Sequence, residues 1–311
     1  PAISKPFYDI NANCQVTRVN HHYAHHLSCW PLIDNPHKID GIVMDGFGDF
    51  DCAWTVFKNS NIKETGSKNS HGSIGWHMSN LKHSFDLDGM GLDIAGKVMS
   101  LQSYGKLDKE FYEYLHQFDI KDINHIFNTA YYSDKWTKKI NWLRTIHEYI
   151  GELLLSFIQK TFNKNKKIIY TGGVALNVNW NTKLKEYFNL IIPPHANDEG
   201  LSLGALEYLR IKHNLPKFSL HNFPYCQSDE APDNKPNKKL IEKTADLIKQ
   251  QKIIGWYQGH GEIGPRALGN RSILADARDY EMKNKVNLIK KRESFRPFGC
   301  STVDNTFSKS L

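Results

Sequence analysis

The segment 139–188 constrains the fold more than any other part of the sequence, because it contains in order a helix, a strand, a glycine turn and a second helix. Apolar residues recur at helical spacing over 140–157, which predicts one long amphipathic helix. The apolar run 167–170 is typical of a buried strand, and the glycines at 172–173 follow it before a stretch of helical composition. This order predicts an α/β fold with a glycine turn at the carboxyl end of a strand.

A second strand is predicted earlier in the chain. The apolar residues 42–44 lead into Asp-Gly-Phe-Gly-Asp at 45–49, and an apolar run at 52–57 is followed by a polar turn at 59–61 and a return strand. This pattern predicts a strand, a tight glycine loop and a hairpin. We expect no helix or strand before Asn20.

Prolines and polar residues concentrate near residues 214–238, which predicts a linker. We therefore expect a first domain at 1–215, a linker at 216–238 and a second domain at 239–311. The second domain is expected to open with a helix over 240–251 and a strand over 253–257.

Charge and hydropathy argue against two classes of protein, nucleic-acid-binding proteins and membrane proteins. The 311 residues hold 40 Lys and Arg against 33 Asp and Glu. The lysines are scattered as on a solvated surface, so we do not expect nucleic acid as a partner. No apolar run approaches the roughly 20 residues of a membrane span, and no charged-then-apolar leader opens the sequence. We expect a cytoplasmic protein without a membrane partner.

The densest histidine cluster lies in the segment 20–28. With Asn20 as the N-cap, His21 and His25 stand one turn apart on one helix face, and His22 and His26 form a second pair beside them. Two imidazoles at this spacing can hold a divalent metal. A surface histidine patch is the alternative interpretation.

A metal at this pair needs further ligands from elsewhere in the chain. The best candidate is Asp198, in His-Ala-Asn-Asp-Glu-Gly at 195–200. The alternative is that Asp198 or Asn197 caps the helix that starts at Leu201.

Two glycine turns favour a nucleotide. Gly46 follows Asp45, whose carboxylate could hold a phosphate-bound cation, and glycines let backbone N–H groups approach an anion. Gly172 and Gly173 precede a helix in the same way, and Asn177 lies one turn in, where its amide could meet a ribose or base. An ordinary hairpin turn and tight packing would use the same residues.

Five of the eight arginines fall within 266–296. Arg266 and Arg271 lie in a glycine-rich stretch, 258–272, which suits a phosphate-bearing intermediate. Arg292 and Arg296 are further candidates for binding an anion, although either could simply pair with a neighbouring carboxylate.

With these motifs the sequence resembles the O-carbamoyltransferase family of nodulation-factor, cephamycin and aminoglycoside biosynthesis. The motifs that carry the resemblance are His-His-Tyr-Ala-His at 21–25, Asp-Gly-Phe-Gly-Asp at 45–49, Gly-Lys-Val-Met at 96–99, Tyr-Gly at 104–105, Gly-Gly-Val-Ala-Leu-Asn at 172–177, Asn-Asp-Glu-Gly at 197–200 and Gly-Pro-Arg-Ala-Leu-Gly-Asn-Arg-Ser-Ile-Leu-Ala-Asp at 264–276.

The resemblance implies an α/β architecture in which an actin/hexokinase-like (ASKHA) ATPase-type domain precedes the beginning of a YrdC-like carbamoyl-adenylate-forming domain. It also implies the reaction. Carbamoyl phosphate and ATP would give carbamoyl-adenylate, and a hydroxyl of a sugar, nucleoside or secondary metabolite would take the carbamoyl group.

The resemblance further assigns site residues. A divalent ion, iron by resemblance, would be held by His21, His25 and Asp198, and Mg²⁺ could accompany the nucleotide. The nucleotide would be lined by Asp45, Gly46, Gly172, Gly173, Asn177 and Gly200. The catalytic residues of the adenylation site would be Arg266, Arg271 and Arg296.

Family members also carry an additional N-terminal region and a longer second domain. We therefore expect the chain alone to be poorly active, or to need missing segments from a longer parent, a second chain or a homo-oligomer. Two alternatives stay open: carbamoylation of tRNA or another nucleic-acid base, and a non-catalytic remnant that binds nucleotide or metal.

Overall fold

The computed structural model describes residues 4–9, 14–66, 70–129, 139–217, 222–227 and 235–299. The chain divides into two compact units, Pro1–Pro224 with Ile263–Arg266 and Tyr225–Glu262 with Ala267–Leu311. Within these described ranges, no helix combines the length and the apolar character that crossing a membrane requires.

The first unit is an α/β structure. Its strands are β1 (Ser4–Asp9), β2 (Cys14–Val19), β3 (Asp40–Met44), β4 (Trp54–Lys58), β5 (Asn61–Gly66), β6 (Lys167–Thr171) and β7 (Asn189–Ile191). Its helices are α1 (His21–Ser28), α2 (Ile74–Asn80), α3 (Leu92–Leu101), α4 (Lys109–Leu115), α5 (Ile123–Asn128), α6 (Lys139–Thr161), α7 (Val178–Lys185) and α8 (Leu201–Lys212).

Five of these strands form one mixed sheet in the order β5-β4-β3-β6-β7. β3 pairs antiparallel with β4 and parallel with β6, and β6 is also parallel to β7. All five residues of β3 are buried, as are four of the five in β6. Continuous burial of this kind is typical of central strands that are covered on both faces.

The parallel pairing of β3 with β6 positions the turns that follow them. Because Val43 lies opposite Thr171, both strands end at the same edge of the sheet. Gly172 has a φ of 94°, and a Cβ there would lie 2.2 Å from the carbonyl oxygen of Met44. Only glycine allows the backbone to turn so close to the neighbouring strand.

Helix α1 packs on this sheet and against α8. The His26 ring stacks on Phe57 of β4 with 4.1 Å between ring centroids. On the α8 side, a Cβ at Gly204 would lie 1.9 Å from the carbonyl oxygen of Ala24, so the two helices approach at backbone distance.

The second unit contains β8 (Tyr225–Gln227), α9 (Lys238–Lys249), β9 (Ile254–Tyr257), β10 (Gly261–Glu262), β11 (Arg271–Leu274) and α10 (Met282–Ile289). β8 pairs with β10, and β9 pairs with β11, both antiparallel. Glu262 is fully buried, and its carboxylate accepts hydrogen bonds from the backbone N–H groups of Leu268 and Asn270. This single side chain therefore organises the glycine-rich loop between β10 and β11.

The structure confirms the predicted α/β pattern. It contains the helix over 139–161, the strand and glycine turn after it, and the hairpin β4–β5. The expectation of no strand before Asn20 was wrong, because β1 and β2 form an antiparallel hairpin. Pro6 weakens the strand signal of β1, because proline is unusual within a strand. Within the predicted linker, the structure places the short strand β8.

Candidate functional site

Helix α1 begins at a densely capped N-terminus. The Asn20 side chain accepts a hydrogen bond from the N–H of Tyr23 at 3.0 Å, as the sequence predicted for an N-cap. The Asp49 carboxylate accepts a second from the N–H of His21 at 2.7 Å and also pairs with Arg18 at 2.6 Å. A carboxylate at a helix N-terminus is favoured by the helix dipole. These contacts fix the first turn of α1 on the loop that follows β3.

Four side chains converge beside this turn. Oδ2 of Asp45 lies 3.0 Å from Nε2 of His21 and 3.0 Å from Nε2 of His25. Oδ1 of Asp198 lies 3.5 Å and 3.3 Å from the same two nitrogens. One ligand atom from each of the four residues lies within 4.8 Å of the corresponding atoms of the other three. Side chains from α1, from the turn after β3 and from the turn before α8 therefore meet in one place.

The donor set and its spacing fit a divalent ion. Two imidazole nitrogens and two carboxylate oxygens suit zinc or iron. Ligands held about 2.0–2.2 Å from one tetrahedral ion lie roughly 3.3–3.6 Å apart. The observed distances of 3.0–3.5 Å between imidazole nitrogens and carboxylate oxygens require only small adjustments to reach that spacing. The cluster also differs from a surface histidine patch, since the His25 side chain is fully buried.

Asp45 links the cluster to both glycine turns. Its Oδ1 accepts hydrogen bonds from the N–H of Gly46 at 2.7 Å and the N–H of Gly173 at 3.2 Å. Burial raises the pKa of Asp45, but the hydrogen bonds and charges of His21 and His25 outweigh it and hold that pKa well below its usual range. The carboxylate is therefore ionised, as a metal ligand must be.

The pKa of His25 is raised for the reciprocal reason. Burial lowers it, while hydrogen bonds and charges from Asp198 and Asp45 raise it by more. Without an ion, the cluster thus favours protonated imidazole between two carboxylates. A bound divalent cation would replace that positive charge.

The second histidine pair points away from this cluster. Nδ1 of His22 lies 2.8 Å from Oγ1 of Thr55 in β4, and the His26 ring stacks on Phe57. Burial lowers the pKa of His22 to about 4 and that of His26 to about 3, so both rings are neutral. This pair docks α1 on the sheet.

The turn before α8 presents Asp198 without using it as a cap. The short 3₁₀ turn Asp198–Gly200 and helix α8 both begin without a side-chain capping hydrogen bond. The alternative role of Asn197 or Asp198 as a helix cap is therefore not what the structure shows. The Asp198 side chain keeps 64% of its surface exposed while its Oδ1 faces the two histidines.

A cavity of about 610 Å³ adjoins the cluster. It is walled by α2, α3 and the two glycine turns, with apolar side chains such as Ile74, Met78 and Leu92. Among the predicted site residues, those that line it are Asp45, Gly46, Gly173, Asn177, Asp198 and Arg266. All of them belong to the first unit.

Gly172 and Gly200 have packing roles in the described structure. Gly172 turns against the backbone of β3, as described above. At Gly200, a Cβ would lie 2.4 Å from the carbonyl oxygen of His195 and 2.6 Å from its ring. Neither glycine is among the described residues that line the cavity.

The amide of Asn177 is held from within the protein. Its Nδ2 lies 2.9 Å from Nε2 of His147, and its Oδ1 accepts a hydrogen bond from the N–H of Trp180 at 3.3 Å. His147 is buried, burial lowers its pKa to about 4, and its ring stacks on Trp180. The neutral imidazole accepts the Asn177 N–H, which fixes the orientation of this amide at the cavity wall.

The three predicted arginines have different surroundings. Arg266 lines the cavity, as Asp198 does. Arg271 donates from Nε to the buried Glu262 at 3.0 Å. Arg296 lies 4.0 Å from Glu293 in the second unit.

Sequence reasoning assigned Asp45 to the nucleotide, whereas the structure also places it in the histidine cluster. It did not single out Asp49, His147 or His195. The repeat of Asp on both sides of the glycine loop was a usable signal for Asp49. The roles of His147 and His195 are visible only in their contacts with segments distant in sequence.

Comparison with known proteins agrees with these motifs. The family model described as "Carbamoyltransferase N-terminus" matches residues 9–206, and the model described as "Carbamoyltransferase C-terminus" matches residues 245–311. Nodulation protein NolO of Bradyrhizobium diazoefficiens is 28% identical over 332 aligned residues, covering 94% of this chain and 59% of that protein. Nodulation protein U of Sinorhizobium fredii is 35% identical over 50% of this chain and 30% of its own length.

An uncharacterized protein of Methanocaldococcus jannaschii is 31% identical over 67% of this chain and 40% of its own length. The chain thus spans about half the length of the curated relatives it matches. Among solved structures, component A of the Acidaminococcus fermentans (R)-2-hydroxyglutaryl-CoA dehydratase matches with a TM-score of 0.40 and 16% identity, covering 60% of this chain and 66% of that one. A similarity of that size does not establish a shared fold.

Proposed function

Because the chain belongs to the carbamoyltransferase family, we propose that it is the part of an ATP-dependent O-carbamoyltransferase in which the carbamoyl group reaches its acceptor. Its first unit would be the actin/hexokinase-like domain. Its second unit would be the beginning of the YrdC-like domain that forms carbamoyl-adenylate. The acceptor would be a hydroxyl of a sugar, nucleoside or secondary metabolite.

One observation carries this proposal: four potential ligands converge at the edge of a cavity of about 610 Å³. A volume of this size suits a small-molecule ligand such as an adenylate. Gly46 and Gly173 line the cavity, and a Cβ at Gly46 would meet nothing within 4 Å, so a phosphate group can approach the backbone closely there. These features suit the reaction proposed for the family, since carbamoyl transfer from an adenylate needs an anion site beside the reacting carbonyl.

In the proposed transfer step, one bond to the carbamoyl carbon forms and one breaks. The hydroxyl oxygen of the acceptor attacks the carbamoyl carbon of carbamoyl-adenylate, a new C–O bond forms, and the bond from that carbon to the AMP phosphate oxygen breaks. AMP leaves with the bonding electrons, and the hydroxyl proton passes to a base or to water.

The residues that would hold the ion are His21, His25, Asp45 and Asp198. The ion, iron by the family resemblance, would supply Lewis-acid stabilisation of negative charge on the carbonyl and phosphate oxygens. Arg266 would add a fixed positive charge at the cavity wall. The amide of Asn177, oriented by His147, would present a defined polar group to the nucleoside.

Metal and nucleotide binding by the 311-residue chain test the proposal. We expect one equivalent of a divalent ion and saturable ATP binding. In the variant His21→Ala/His25→Ala we expect loss of the ion and weaker ATP binding. His213→Ala, an exposed histidine after α8, is the matched control and should leave both unchanged. A metal-free wild-type chain, or unchanged ATP binding in the double variant, would contradict the proposal.

A second measurement separates an enzyme from a non-catalytic binding protein. Carbamoyl-phosphate-dependent exchange of labelled pyrophosphate into ATP reports adenylate formation without knowledge of the acceptor. Exchange would support catalysis by this chain, whereas binding without exchange would favour the binding-protein alternative or a need for further segments.

A further inference from the structure

The turn that carries Asp198 is tied to the end of β6 and to α1, the helix that carries His21 and His25. The carbonyl oxygen of Ala196 accepts a hydrogen bond from the N–H of Gly172 at 2.8 Å, which fixes the turn to the carboxyl end of β6. One residue earlier, Nε2 of His195 lies 3.2 Å from the carbonyl oxygen of Ser28, the last residue of α1. His195 therefore joins the Asp198 turn to the helix of the histidine pair.

The His195 ring fills the inside of this turn. It is fully buried, and its edge meets the ring of Phe223 with 5.4 Å between centroids. The ring and backbone of His195 leave no room for a Cβ at Gly200. The turn is thus built around this one side chain.

The hydrogen bonding of His195 shows what the imidazole contributes beyond volume. Since a carbonyl can only accept, Nε2 carries the proton that it donates to Ser28. Nδ1 is buried and has no hydrogen-bond partner within the described residues. Burying an unpartnered polar atom is unfavourable, and a phenyl ring would fill the space without that cost. The remaining polar contribution of the ring is its bond to α1.

That bond acts close to a candidate ligand. The hydroxyl of Ser28 donates to the carbonyl oxygen of His25 at 2.8 Å, in the last turn of α1. Across the gap, Oδ1 of Asp198 lies 3.3 Å from Nε2 of His25. Because Asp198 makes no capping bond in its own turn, the backbone of the turn sets where its carboxylate lies.

We propose that His195 is a positioning residue that holds Asp198 at ligand distance from His25. The inference rests on the proposed function only in that the four-residue cluster binds a divalent ion. His195 itself contributes no ligand atom. It fixes the separation between a helix and a turn, and so the geometry of the fourth ligand.

Cobalt(II) titration of the full chain, followed by visible absorption, tests this role, because the spectrum reports the number and geometry of ligands. We expect His195→Phe to bind Co²⁺ roughly tenfold or more weakly than wild type, in the range seen when outer-shell partners of a metal site are removed. His195→Gln, whose amide can still donate to Ser28, should recover much of the affinity and the wild-type spectrum.

A double-mutant cycle with Asp198→Ala separates positioning from a general loss of stability. If His195 acts through Asp198, then His195→Phe should have no further effect on Co²⁺ affinity in the Asp198→Ala background. His77→Phe is the matched control, since His77 is another buried histidine bonded to a carbonyl, on α2. It should leave the spectrum unchanged.

Three results would overturn the inference: wild-type affinity in His195→Phe, no recovery in His195→Gln, or an undiminished effect of His195→Phe in the Asp198→Ala background. Failure of the wild-type chain to bind Co²⁺ is a different result. It would refute the proposed metal site, and the role of His195 with it.

Discussion

The close approach of α1 and α8 makes Gly204→Ala a sharp test of how the candidate site is built. A Cβ at this position would lie 1.9 Å from the carbonyl oxygen of Ala24, whereas such atoms essentially never come closer than 3.0 Å. The neighbouring atom is backbone and cannot rotate away. The two helices must therefore separate by about 1 Å or more for the methyl group to fit.

Two opposing contributions decide the stability of this variant. Alanine is favoured over glycine within a helix by about 1 kcal/mol. Overpacking a tight interface costs about 1–3 kcal/mol. We expect a net loss of up to about 2 kcal/mol, which for a unit of this size lowers the melting temperature by roughly 4–8 °C.

The effect on metal binding should be larger than this modest loss of stability. Helix α8 follows the Asp198–Gly200 turn directly, so a shift of the helix carries the Asp198 carboxylate with it. Metal–ligand distances tolerate only about 0.2 Å of change. A shift near 1 Å would remove Asp198 from the ligand set, and we expect Co²⁺ affinity to fall about tenfold or more.

Thermal unfolding and Co²⁺ titration of the same samples measure the two effects. Ser202→Ala, at an exposed position of α8, is the control for helix propensity and should leave metal affinity unchanged. If Gly204→Ala melts at or above the wild-type temperature and binds Co²⁺ normally, the contact does not position Asp198 and the reasoning fails.

Asp45→Asn should retain the hydrogen bond to Gly46 but weaken Co²⁺ binding by at least about tenfold, the lower bound for removing even an outer-shell partner, because a charged ligand is lost. Equal affinity by titration would exclude Asp45 as a ligand. Glu262→Gln should destabilise the second unit by about 1–3 kcal/mol in urea unfolding, since a buried acceptor of two backbone N–H groups and Arg271 is altered; Glu242→Gln, an exposed site on α9, is its control. Burial lowers the pKa of several histidines from 6.5 to about 4 or about 3, namely His22, His26, His77, His147 and His195. Because the unfolded chain then binds more protons below pH 6.5, stability should fall steadily as the pH drops from 6.5 towards 4. A urea midpoint that is flat across that range would contradict the buried neutral rings.

The parts of the fold that sequence analysis predicted are those whose signals are local. The helical spacing over 140–157, the apolar strand and the glycines after it all lie within one segment. The N-cap at Asn20 is likewise encoded within four residues, since its side chain accepts from the N–H of Tyr23. The hairpin β1–β2 lacks such a signal, because a proline interrupts the strand pattern of β1.

The candidate site depended on contacts that no local pattern contains. The motif around Asp45 suggested a phosphate turn, and only the packing of α1 on the sheet brings its Oδ2 to His21 and His25. Gly200 suggested a nucleotide contact, but its small size is explained by the buried ring of His195. Arg271 suggested an anion site, and the structure pairs its Nε with the buried Glu262, nine residues away across a loop.

The four candidate ligands come from three separate segments, and each segment is held by a contact that is not itself a ligand contact. Asp49 fixes the N–H of His21, and Oδ1 of Asp45 binds the N–H groups of both glycine turns. His195 ties the third segment to the end of α1. Because these ties involve atoms other than the ligand atoms, the ligand atoms already lie 3.0–3.5 Å apart without drawing on metal binding to assemble them. A site organised in this way loses affinity when its supports are removed, even if every ligand is retained. Substitutions at supports and at ligands should therefore be non-additive, which a set of isolated surface histidines and carboxylates would not show.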